Sequence, residues 1–175
     1  MPYPLHPAVV HFPIVLAVLL PFIAAAGLYA TLRKGAIRAV WAPVAAFALL
    51  LTASAWVAVE TGQDQEDRVE DVVSESVIHG HEEAAEGLLA GSAVLAVVVL
   101  AGLVPGVLGK GARYAAVPVA LVVLVLGFRA GESGGELVYT HGAAAAYVQG
   151  DGSGSSGTSN APRRGDDDDD DEHRP

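Results

Sequence analysis

Residues 7–32 run without a single formal charge, and no other feature narrows the folding problem as far. A helix rises about 1.5 Å per residue and the hydrocarbon core of a bilayer is about 30 Å thick, so about 20 consecutive apolar residues cross it. In hydrocarbon the backbone has no water to bond, a demand that a helix meets within itself. Three further apolar stretches follow at about 39–60, 86–109 and 114–131. The last has an uninterrupted apolar core of only 114–128, short for a full crossing. Charged residues make up 17% of the chain, against about 25% in a typical soluble domain. The reading is all-α: an integral membrane four-helix bundle over 1–149, with a disordered acidic tail over 150–175.

The tail is read from composition. Beyond residue 150 the chain is Gly, Ser, Thr and Asn, then an unbroken Asp run at 166–171. It lacks the apolar surface that would offset the entropy of ordering. Oxygen-rich runs suit Ca²⁺, but the spaced ligands and glycine of an EF-hand loop are missing. A signal-peptide reading of the first span is disfavoured, because no Lys or Arg precedes it and Pro13 and Pro21 interrupt it.

Charge orients the spans. Arg33, Lys34 and Arg38 lie between the first and second, and Lys110 and Arg113 between the third and fourth. The middle connection carries Asp64, Glu66, Asp67, Glu70, Asp71 and Glu75 against Arg68. Cytoplasmic loops collect Lys and Arg. The expected orientation therefore leaves the acidic connection and both ends of the chain outside.

Several classes fall away. Phosphate neutralisation needs clustered basic residues, so nucleic acid is not an expected partner. With no cysteine there is no disulfide, thiolate metal site or covalently attached haem. Ser74, Ser76 and Ser133 have no Gly-x-Ser-x-Gly elbow around them, and the stretch from His79 to Glu82 is not a His-Glu-x-x-His zinc motif. No span carries a charge near the midplane, where transporters bind substrate. The protein is expected not to be an enzyme by itself.

The histidines are informative. His6, His11, His79, His81 and His141 all fall at the outer level of this topology, and the sixth, His173, is in the tail. Pro13 cannot donate to the carbonyl of Val9, which loosens the turn holding His11. On one straight helix His6 and His11 would diverge by about 140°, so His11 with His81 is the preferred pair, His141 the reserve, and His6 a cap. Arg129 and Glu132 share a face near the same level, and Glu60 ends the second span there. The glycines at 131–135 are expected to break the fourth helix, letting the next residues re-enter or lie on the surface. Gly87 and Gly91 are the expected point of close helix contact.

These residues also carry a resemblance. His6-Pro7-x-x-Val10-His11-Phe12-Pro13-Ile14 resembles the opening, and Gly134-Gly135-Glu136-Leu137-Val138-Tyr139-x-His141-Gly142 the closing motif, of a bacterial family of four-span membrane proteins, domain of unknown function 2231. Thr61-Gly62 and His81 fall where that family has a Gly and a His. The likeness covers about 4–148. By position it implies that His6, His11, His81 and His141 are the family's histidines. Relatives joined to Rieske or cytochrome domains imply a link to respiratory electron transfer, although this chain carries no such domain.

Two functions follow as expectations. In the first, His11, His81, His141 and His6 supply ligands to b-type haem, with Arg129 on a propionate, and the protein passes electrons to a redox partner. In a variant of that reading His11, His81 and His141 hold Zn or Cu, with Glu60 or Glu132 as carboxylate ligand. In the second, the histidines are caps and interface groups of an accessory or scaffold subunit in a membrane complex.

Overall fold

The loosened turn before Pro13 is where the first helix divides. A computed structural model describes residues 6–34 and 36–146, side chains of Lys34 and Arg68 excepted, and places α1 at His6–Val9 and α2 at His11–Lys34. Val10 sits between them, its N–H bonded to the His6 carbonyl at 3.1 Å. The remaining elements are α3 (Ile37–Gln63), α4 (Glu66–Val69), α5 (Glu75–Ala101) and α6 (Gly106–Tyr139). Four of these segments, His6–Arg33, Ile37–Gln63, Glu75–Ala101 and Gly106–Tyr139, are long and apolar enough to cross a membrane. The expectation for 150–175 lies outside the described residues.

The long helices form a closed ring in which α2 packs on α3, α3 on α5, α5 on α6 and α6 on α2. This is the up-down-up-down bundle that short connections favour. Its core sets a few large residues, Trp41, Leu20, Leu51 and Leu95, among many small ones. Ala17, Ala24, Ala48, Ala96, Ala116 and Ala120 are buried, whereas Phe12, Phe22, Trp56, Val97 and Phe128 face outward. Lipid is as apolar as a leucine side chain, so large residues gain nothing by turning inward, and small ones let the backbones approach. Gly91 shows the effect: a Cβ there would stand 2.6 Å from Leu126 Cδ1 of α6. Gly87, the other half of the expected contact, only reaches the same side chain, at 4.0 Å.

Three details differ from the sequence reading. First, the third helix starts at Glu75 rather than near 86, so His79 and His81 lie inside α5 and not before it. Charge had marked the edge of the apolar stretch, but Glu and Ala are good helix formers and carry the helix outward. Second, the turn between α5 and α6 is at 102–105, where Pro105 has no N–H and Gly106 adopts φ +88°. Lys110 and Arg113 therefore belong to α6. Arg113 is buried, and its Nη1 donates to the carbonyls of Gly102 and, at 3.5 Å, Val104. It thus caps the end of α5. Trp41 closes the same end from α3, donating Nε1–H to the Val99 carbonyl at 2.8 Å.

Third, the glycines at 131–135 do not break α6, which continues as helix to Tyr139. The helix runs 34 residues to Tyr139, about 50 Å at 1.5 Å per residue, well beyond the hydrocarbon thickness. Leu137 finds apolar partners outside that thickness, in a small second core with Val73, Ile78 and Ala143. That burial, together with the backbone bonds, outweighs the weak helix propensity of glycine.

Candidate functional site

Two histidines meet at the end of the bundle where α1, α3, α5 and α6 converge. Their rings lie 6.2 Å apart, centroid to centroid, with planes at 79°. Both are half-buried. They are His6 and His81.

Each ring is held through Nδ1. The His6 Nδ1–H donates to the Ala58 carbonyl of α3 at 2.9 Å, with Thr61 Oγ1 at 3.4 Å beside it. Thr61 spends its own proton on the Val57 carbonyl at 2.8 Å, so toward His6 it can only accept. His81 Nδ1 lies 2.9 Å from Ser133 Oγ on α6. Ser133 Oγ also lies 3.1 Å from the Ala130 carbonyl, and with its proton directed there His81 Nδ1 is the donor in that pair. The carbonyl partner puts the proton of His6 on Nδ1, and that arrangement of Ser133 does the same for His81, leaving each Nε2 with a lone pair.

Glycine makes room for each ring. A Cβ on Gly62 would stand 3.1 Å from His6 Cε1, and one on Gly134 would stand 3.1 Å from His81 Cε1. Four separate stretches of sequence thus converge: the opening histidine, Thr61-Gly62, His81 and Ser133-Gly134. Glu82, Glu83 and Glu86 lie on the adjoining turns of α5 and make this end of the bundle acidic.

The other sequence candidates lie elsewhere. The structure pairs His81 with His6 and not with His11. The helical bond from Val10 N–H to the His6 carbonyl carries the turn on into α2, and about 140° around that helix His6 faces the bundle while His11 faces out. His11 is exposed on α2 and His141 is exposed in the turn after α6. Arg129 and Glu132 are exposed, and Arg129 forms no ion pair among the described residues. Glu60 instead accepts from Trp56 Nε1–H, one turn back on α3, at 3.1 Å.

His79, two residues before His81, faces the other way. It contacts Glu82 at 2.9 Å and Glu75 at 3.4 Å on the exposed side of α5. With Glu66 of α4, His79 and Glu82 are the only three-residue group of potential metal ligands among the described residues. The charge of Glu82, with smaller effects of desolvation and Glu70, pushes the Glu66 carboxyl above its ordinary value of 4.5.

The sequence counts His6 among the candidate ligands but pairs His81 with His11 in its place, and it does not single out Ser133 as a partner. The signal was present in the pairing of each histidine with a small polar residue followed by glycine, Thr61-Gly62 and Ser133-Gly134. It could not be used without knowing which helices are neighbours.

These features define an antiparallel four-span membrane protein with a histidine pair at one end. A profile of predicted membrane proteins (DUF2231) matches residues 2–146, and the chain belongs to that family, whose function is unknown. No curated protein and no solved structure matches it.

Proposed function

We propose that the His6–His81 pair is the working centre of the protein and supplies the two axial ligands of a b-type haem, through which electrons pass at the outer surface of a bacterial inner membrane. The observation that carries this reading is the pair itself: two imidazoles from different helices, each fixed through Nδ1 by a backbone carbonyl or a hydroxyl. Such outer bonds orient metal-ligating histidines and raise their basicity.

The shortage of a third ligand favours haem over a bare ion. Zinc sites draw three or four protein ligands, and neither Glu60 nor Glu132 joins the pair in a three-residue group among the described residues. A porphyrin brings four nitrogens of its own and asks the protein for two. When bound, it would supply one-electron chemistry. The chain's own part is to present the two Nε2 lone pairs, and Gly62 and Gly134 keep Cβ atoms from crowding the rings.

A second reading has its own support. The same Nδ1 bonds tie α1 to α3 and α5 to α6, and the ring contact joins the two ties. A clasp of that kind would suit an accessory subunit of a membrane complex with no cofactor.

One experiment separates them. The full chain, purified in mild detergent from haem-replete cells, is scanned oxidised and dithionite-reduced, with metal analysis on the same sample. A sharp α band on reduction, lost in His6→Ala and in His81→Ala but kept in His11→Ala, is the expected result. A featureless spectrum without stoichiometric metal would leave the clasp. Stoichiometric zinc or copper would replace haem by a bare ion.

A further inference from the structure

At the opposite end of the bundle from the histidines, the lipid-facing surface is not smooth. A groove of about 470 Å³ runs between α2 and α6, floored by Ala25, Leu28, Val117 and Pro118. Tyr29 and Tyr114 stand on its two banks, and both rings are exposed. The two helices run antiparallel here, since Gly131 approaches Ile14 and Gly127 approaches Ala17, while Tyr114 faces the segment at 25–32.

Antiparallel packing has a consequence for charge. On α2, Arg33 lies one turn after Tyr29, and its guanidinium sits 5.3 Å from the centre of that ring. On α6, Lys110 lies one turn before Tyr114. Both displacements point toward the same end of the molecule, about 6 Å beyond the tyrosines. The groove therefore opens at one end between two exposed cations, each preceded by a tyrosine. No acid occurs anywhere in 1–59 or 87–131 to neutralise them.

We infer that this groove holds an anionic phospholipid, one acyl chain lying along Ala25, Leu28, Val117 and Pro118 and the phosphate seated between Arg33 and Lys110. The complementarity is twofold. The floor is apolar and narrow, as an acyl chain is, and the cations and tyrosine hydroxyls stand at the depth where headgroups begin. A second helix would fill the floor equally well but would leave the two cations without an anion.

The test uses the full chain in detergent, with phosphatidylglycerol and phosphatidylethanolamine of identical acyl chains competing, and counts retained lipid by native mass spectrometry. The chain should keep phosphatidylglycerol preferentially. A cation near an anionic surface contributes about fivefold, so Arg33→Gln and Lys110→Gln should each reduce the preference by about that factor. Arg38→Gln, at the same end but outside the groove, should leave it unchanged. Ala25→Trp, which fills the floor and keeps both cations, should also abolish retention.

A measurement without variants covers any that fail to insert. Phosphatidylglycerol carrying a diazirine in its acyl chain should label 25–32 and 114–118 in the native protein. Equal retention of the two lipids, labelling spread evenly over all four helices, or a dimer that Ala25→Trp dissociates would each overturn the inference.

Discussion

A histidine bonded through Nδ1 is fixed in orientation, and at the end of this bundle two neighbours are held in that way. For His81 the bond depends on one hydroxyl, that of Ser133 at 2.9 Å. Ser133→Ala should therefore lower affinity for a centre bound at the pair by about 10- to 100-fold, the usual cost of losing such an outer partner. The helices should form as before, because Ser133 makes only a local bond to Ala130 besides. Titration of the purified apoprotein with haem measures it, and unchanged affinity would remove His81 from the site. Glu66 makes a second residue-scale case. Its folded-state carboxyl binds its proton more tightly than in the unfolded chain, chiefly because of Glu82. Stability is consequently lost as pH rises through and above 4.5. Glu66→Gln should raise the melting temperature at pH 7, and the gain should shrink as pH falls to 4. A gain independent of pH would point to another cause.

The helices show what was legible in the sequence and what was not. Three of them followed from charge-free length, and the short fourth from the even count that the loop charges require. Their facing did not. In a soluble bundle an apolar stripe marks the buried side; here both sides are apolar, and the distinction is one of size, with Ala48 and Ala120 inside and Phe22 and Phe128 outside. Without the facing, the meeting of Thr61-Gly62 with His6 and of Ser133-Gly134 with His81 stayed out of reach, and depth alone suggested His11. Helix ends failed for another reason. Apolar length marks where a helix can cross lipid, not where it stops, so α5 and α6 run outward past their hydrophobic segments. Gly91 is the exception that spacing did reveal, and it carries a prediction. Gly91→Ala puts a methyl 2.6 Å from Leu126 Cδ1, so Leu126 must leave its rotamer, at a cost of about 0.5–1.5 kcal/mol set against the gain in helix propensity. Gly80→Ala, with nothing within 4 Å of the new methyl, should have no such cost and should gain slightly from helix propensity. Thermal unfolding of the two variants in one detergent compares them directly.

For the whole molecule the open question is direction. The helix ends that flank the two short connections are basic and the middle connection is acidic, and that asymmetry predicts Asp71 outside and Ala36 inside. The chain contains no cysteine, so single replacements can be labelled against a silent background. In intact cells a membrane-impermeant maleimide should modify Asp71→Cys and spare Ala36→Cys until the membrane is opened. The reverse pattern would put the histidine pair on the cytoplasmic side and end its proposed role at the outer surface.

The two ends of the bundle also differ mechanically. At one, Trp41 is bonded to Val99, and Arg113 bridges the last carbonyls of α5 across a four-residue turn. At the other, helix ends are joined by half-buried rings and a longer connection through α4. A structure pinned at one end and loosely tied at the other has its compliance concentrated at the loose end, much as a pair of tongs does. Spreading of the helices to admit a ligand at the histidines would then require no repacking around Trp41, and the four helices would keep their register while it happened.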